Sequence, residues 1–137
     1  MLFDSPSDTF SATLDFEVLK AKEFGIALHV DEGMETGYFL RMLPEQNLIA
    51  WDIWPRAEKG EYQWQIKGDI PYQVETSRLL PKATHYHVQL LREGSMCVVY
   101  VNDEIALSTR LYNHSGKKIG LYVVQGEVAL HEIEIKE

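Results

Sequence analysis

Cysteine is almost missing from this chain: Cys97 is the only one among 137 residues. That excludes an internal disulfide and any metal site built on paired thiolates. Cys97 sits in the apolar run Cys97-Val-Val-Tyr-Val101, which predicts a buried and unreactive thiol. Positive charge is also scarce. Thirteen Lys and Arg face 21 Asp and Glu, for a net charge of −8, and the basic residues do not cluster. Phosphate backbones need clustered cations, so nucleic acid is excluded as a partner, and an anionic membrane surface is disfavoured for the same reason. No run approaches the roughly 18 apolar residues of a membrane span. The opening Met1–Asp8 has neither the basic region nor the apolar run of a signal peptide, and residues 1–8 are expected to form a flexible tail. A sustained helical period is lacking. So are a glycine-rich phosphate loop, a nucleophile elbow and an HExxH pair, and no cofactor or metal is expected.

Period-two alternation fills the space these absences leave. Phe10, Ala12, Leu14, Phe16 and Val18 alternate with Ser11, Thr13, Asp15 and Glu17, which predicts a strand with one face buried. The pattern continues through Phe24, Ile26, Leu28 and Val30, and strands are expected over 38–43, 48–54 and 62–66. Pro44–Asn47 reads as a short hairpin loop. Tyr72–Thr76 reads as a short edge strand, because Pro71 cannot stand inside a sheet. Residues 77–84 read as irregular. Glu93-Gly94, Asn102-Asp103 and Gln125-Gly126 are two-residue hairpin signals, and Asn113–Gly116 is turn chemistry. Around ten short strands in one domain over 9–137 indicate an all-β sandwich or jelly roll of antiparallel sheets.

Three groups of side chains carry chemistry. His85 and His87 share one strand face, the spacing of two metal ligands, but no third ligand is close in sequence. The acids Asp15 and Glu17, and likewise Glu132 and Glu134, share strand faces, as solvated sandwich strands commonly do. The 38–54 hairpin is more telling. If Leu43 pairs with Leu48, then Leu40 faces Trp51, Met42 faces Ile49 and Tyr38 faces Ile53, a wholly apolar face destined for the core. The opposite face then holds Phe39 beside Asp52 and Arg41 beside Ala50, with Trp54 near the end. Arg41 and Asp52 become diagonal neighbours. An aromatic ring stacks on the C–H face of a sugar, and a charged pair forks hydrogen bonds to vicinal hydroxyls. Arg41, Asp52 and Trp54 are therefore candidate sugar contacts, with Tyr62 and Trp64 widening the platform. The alternative is a structural Arg41–Asp52 pair, with the three aromatics in the core.

The order of strands after His87 is also recognisable. His87-Val-Gln-Leu-Leu-Arg-Glu-Gly94 is followed by Met96-Cys-Val-Val-Tyr-Val-Asn-Asp-Glu104 and Ser108-Thr-Arg-Leu-Tyr112. Then come Ile119-Gly-Leu121 and the closing Val128–Ile135. This succession resembles the C-terminal β-sandwich of glycoside hydrolase family 32, the β-fructosidases (invertase, levanase, inulinase, sucrose-6-phosphate hydrolase). The resemblance covers about 84–135 best and the first half less well. It implies a concanavalin-A-like (jelly-roll) sandwich of two antiparallel sheets. It also implies an accessory domain packed on a catalytic propeller of the same protein and able to bind fructose-containing carbohydrate. The family's Asn-Asp-Pro, Arg-Asp-Pro and Glu-Cys motifs do not occur here, so no catalytic residue is carried over and this chain alone is expected not to be catalytic. A purely structural or dimerising domain, and a free-standing lectin-like or hydrolase domain, stand as the other readings.

Overall fold

A computed structural model describes residues 1–33, 36–54, 72–73, 78–111 and 117–137. The alternating segments become β1 (Leu2–Asp4), β2 (Thr9–Lys20), β3 (Glu23–Val30), β4 (Gly37–Leu43), β5 (Leu48–Trp54), β6 (Tyr72–Gln73) and β7 (Arg78–Leu79). They continue as β8 (His85–Glu93), β9 (Met96–Val101), β10 (Ile105–Arg110), β11 (Lys118–Val124) and β12 (Glu127–Lys136). These strands form two antiparallel sheets. One runs β1-β11-β3-β4-β5-β6, with β7 also paired to β5; the other runs β10-β9-β8-β2-β12. The result is an all-β jelly-roll sandwich.

The core is the set of inward positions that the alternation marks. Phe10, Leu14 and Phe16 of β2, with Tyr86, Val88 and Leu90 of β8, meet Phe24, Ile26, Leu40 and Trp51 from the other sheet. Each such side chain removed from water contributes about 1.5–3 kcal/mol, more than a typical surface contact. Tyr86 keeps its hydroxyl satisfied at the rim. It donates to Pro81 O at 3.0 Å and accepts the Ala83 N–H at 3.0 Å.

The 38–54 hairpin adopts the register set by its apolar pattern. Leu43 pairs with Leu48, Leu40 with Trp51, Met42 with Ile49 and Tyr38 with Ile53. One turn of 3-10 helix, Pro44–Gln46, and a left-handed Asn47 make the connection. Gly94 opens the tight β8–β9 turn with φ 59°, one residue later than the Glu93-Gly94 signal suggests. Asn102 and Asp103 both take positive φ, and the Glu104 N–H donates to Val101 O at 3.0 Å; the turn falls where expected, but Val101 pairs with Ile105, so the connection has three residues and not two.

Three local expectations are corrected. Residues 1–8 are not all tail, because Leu2–Asp4 pair antiparallel with β11. Phe3 packs against the core between exposed Leu2 and Asp4, but three residues are too few for an alternation to be read. Residues 78–79, expected to be irregular, add a two-residue edge to β5. Gln125-Gly126 does not close a hairpin. β11 pairs with β3 in one sheet and β12 with β2 in the other, so the chain changes layer there. It does so against the β2–β3 corner, where a Cβ on Gly126 would stand 1.7 Å from Lys20 O. The glycine marks a close backbone approach between two layer crossings, and not a hairpin. The expected strand at 62–66 and the Asn113–Gly116 turn lie outside the described residues.

Cys97 is fully buried on β9, and burial pushes its thiol up to about 12. A thiol reagent at pH 8 is therefore expected to leave the folded domain unmodified and to titrate one thiol once denaturant is added. Modification of the native domain at the rate of a free cysteine would contradict this placement.

Candidate functional site

Arg41 and Asp52 meet as the register requires. They lie on the outer face of the seven-stranded sheet, away from the core. Arg41 Nη1 donates to Asp52 Oδ2 at 2.6 Å. The structure adds a partner that the hairpin alone could not reveal. Glu23 of β3 receives Arg41 Nη2 at 2.9 Å and Arg41 Nε at 3.2 Å, a two-point fork. One guanidinium thus holds two carboxylates. Tyr122 of β11 completes the group, donating its hydroxyl to Glu23 Oε2 at 2.8 Å.

Small residues make this arrangement fit. Across the sheet, Tyr122, Gly25, Arg41 and Ala50 stand in one row, and Gly120, Ala27, Phe39 and Asp52 in the next. In the first row Gly25 separates Tyr122 from Arg41, so both can lie over the backbone; in the second, Phe39 has Ala27 on one side and Asp52 on the other. Gly25 is the tightest case. A Cβ there would lie 1.8 Å from Leu40 O and 3.2 Å from Tyr122 Cε1. Phe39 and Tyr122 meet edge to face, with centroids 5.8 Å apart.

Burial tunes the charges. The side chains of Glu23 and Asp52 are 16% and 8% exposed, and that of Arg41 is 28% exposed. Desolvation raises the Asp52 carboxyl above its ordinary value, and the pull of Arg41 in the other direction does not fully offset it. Arg41 is held charged above its usual range, chiefly by its hydrogen bonds to Glu23. The Tyr122 hydroxyl is raised well above its ordinary value by burial and by the nearby Glu23 charge, so it stays a donor. The ensemble is a fixed array of acceptors and donors beside two aromatic rings. Such an array can bind a neutral polyhydroxylated ligand.

Of the other sequence candidates, Trp54 ends β5 with its backbone opposite Gly37, and its side chain is not among those described. Tyr62 and Trp64 lie outside the described residues. Glu23, Tyr122 and Gly25 were missed because β3 and β11 reach the hairpin through long-range pairing. The available signal was the outward set of β3, Gly25 and Ala27, whose smallness leaves room for something larger above them.

The two histidines of β8 separate. His87 Nδ1 lies 2.5 Å from Asp15 Oδ1. His85 joins Glu17 and His131 instead.

In sequence, no family model and no curated protein matches this chain. In structure it has clear neighbours. A carbohydrate-binding module from Bacillus subtilis, 12% identical, superposes with a TM-score of 0.72 over 100% of this chain and 78% of that one. An exo-inulinase from Aspergillus awamori, 17% identical, gives 0.68 over 99% of this chain but 25% of its own length. Sheep galectin-11, 13% identical, gives 0.63 over 98% of this chain and 96% of its own. The chain thus spans about a quarter of the exo-inulinase, and what it shares with all three is the fold.

Proposed function

We propose that this domain binds carbohydrate on the outer face of the seven-stranded sheet, over the Glu23–Arg41–Asp52 network, as the accessory domain of a β-fructosidase-type glycosidase. The observation that carries this reading is the guanidinium held between two carboxylates beside Phe39 and Tyr122, above a floor of Gly25, Ala27 and Ala50. Vicinal hydroxyls donate to the outward lone pairs of Glu23 and Asp52 and accept from the Arg41 N–H groups left over. The sugar's C–H face lies on an aromatic ring, and Trp54, Tyr62 and Trp64 are proposed as further sugar contacts. The sandwich shared with a carbohydrate-binding module and a galectin supports the binding role. The exo-inulinase, of which this chain covers a quarter, supports fructose ends as the ligand and a catalytic propeller as the neighbouring domain.

Calorimetry against fructose, sucrose, levan and inulin, with a β-glucan control, tests the proposal. Heat is expected with the fructans and not with the glucan. Phe39→Ala and Tyr122→Phe should each weaken binding about tenfold, the equivalent of one stacking or hydrogen-bond contact. Unchanged affinity in both variants would move the site elsewhere. No heat with any sugar would favour the purely structural reading. That reading has its own observation: a 460 Å³ groove on the five-stranded sheet, lined in part by exposed Leu91, Met96 and Tyr100, against which a catalytic domain of the same protein could pack.

A further inference from the structure

We propose that Glu17, His85 and His131 form a binding site for a zinc-type divalent cation on the outer face of the five-stranded sheet. The three residues come from three neighbouring strands. β2 lies between β8 and β12, and Glu17 of β2 stands directly opposite His85 of β8. One ligand atom from each residue lies within 4.8 Å of the other two.

A β-bulge puts His131 there. The register of β12 on β2 runs Ala129 opposite Glu17, Leu130 opposite Phe16 and Glu132 opposite Asp15, which leaves His131 without a cross-strand partner. A bulge turns its extra side chain out of the regular alternation. His131 Nε2 reaches Glu17 Oε2 at 2.5 Å. Its ring stacks on that of His85, with centroids 6.4 Å apart and planes inclined by 20°. Side chains two strands apart in a regular sheet are separated by about 9–10 Å, so both imidazoles lean inward over Glu17. Thr84 Oγ1 lies 3.1 Å from His85 Nδ1 and orients that ring, leaving Nε2 as the nitrogen to ligate.

The donor set selects the ion. Two imidazoles and one carboxylate suit zinc and its borderline neighbours, and they do not suit calcium or magnesium, which take oxygen ligands. Zinc with bonds of about 2.0–2.2 Å holds its ligand atoms roughly 3.4 Å apart in a tetrahedron. The His131–Glu17 pair must open slightly and His85 must close slightly. His85 and His131 are exposed and Glu17 is half-buried, which leaves room for these small adjustments. Three protein ligands leave the fourth position for water or for a donor from another molecule. His87 is not part of the set, because Asp15 engages it.

The test is a zinc titration of the whole chain against a competing chromophoric chelator, with calcium as control. One zinc per chain is expected, with a dissociation constant on the order of 1–100 μM, the range left to a three-ligand surface site. His85→Gln, His131→Gln and Glu17→Gln should each weaken binding at least ~10-fold, while His87→Gln should stay within about twofold. These positions are at the surface, so melting curves without zinc should match that of the parent chain. Saturable zinc binding absent up to about 1 mM would overturn the proposal. So would a His85→Gln/His131→Gln variant that keeps its affinity, or a His87→Gln variant that loses it. The site lies on the sheet opposite Arg41, so Arg41 variants should bind zinc as the parent does, and either proposal can fail without the other.

Discussion

Replacing Arg41 by alanine is expected to abolish sugar binding and to cost the domain about 2–4 kcal/mol. The reason is the company this side chain keeps. Glu23 and Asp52 are largely buried and share one guanidinium, so alanine leaves two carboxylates desolvated and facing each other. Removing one partner of a buried pair costs more than the pair contributed, because the orphaned charge stays behind. For a domain of this size the melting temperature should fall by roughly 10 °C. The companion triple variant, Glu23→Gln/Arg41→Met/Asp52→Asn, should recover at least ~1 kcal/mol of that loss, since it removes the charges along with their counter-ion. Urea unfolding of the two variants settles the matter. If Arg41→Ala unfolds within about 0.5 kcal/mol of the parent, the network contributes nothing to the fold.

Acidity gives a second reading of the same prediction. Burial raises the Asp52 carboxyl, so the folded state holds that proton more readily than the unfolded one. Its contribution to stability is then fully present below the unfolded value of about 3.9 and is lost as pH rises through the folded value. In Arg41→Ala the lowering influence is gone and the loss extends to higher pH. Carboxyl carbon titration by NMR should place Asp52 above the exposed aspartates in the parent chain, and higher again in the variant.

Gly25→Ala is expected to damage this sheet severely. The new carbon would sit 1.8 Å from Leu40 O and 3.0 Å from Leu40 C, inside backbone that no rotamer can move. β3 and β4 would have to separate in the middle of the sheet whose inner face carries Ile26, Leu40 and Trp51. Overpacking of this kind costs at least ~3 kcal/mol. Tyr122 would move with the strands and take its hydrogen bond to Glu23 with it. Gly94→Ala is the control. Nothing lies within 4 Å of its added carbon, and only the positive φ of 59° opposes the change, at about 1 kcal/mol. Equal melting temperatures for the two variants would show that the close approach at Gly25 is not what holds the site together.

The contrast between these residues shows what a single sequence can carry. The pairing of Arg41 with Asp52 was legible because a four-residue loop and a strict apolar alternation leave one register for the hairpin. The layered all-β fold was legible for the same reason, repeated along the chain. Glu23 and Tyr122 were not legible, since nothing local tells β4 that β3 and then β11 lie beside it. His131 reaches Glu17 and His85 through a bulge, which the alternation rule cannot place, and His87 does not join them. Gln125-Gly126 misled because a tight turn and a layer crossing use the same residues.

The strand pairings carry a consequence for the order of events as the chain folds. β2 has β12 as its edge neighbour, so Glu17 and His131 meet across 114 positions. Met1 likewise caps Leu121, 120 positions away. During synthesis β2 must wait with one edge bare until β12 emerges. Folding dominated by such distant pairings belongs to the millisecond-to-second class. Through that interval the nascent sheet offers an unpaired, half-apolar edge, so early termination before β12 would yield a chain that seeks other strands instead of closing on itself.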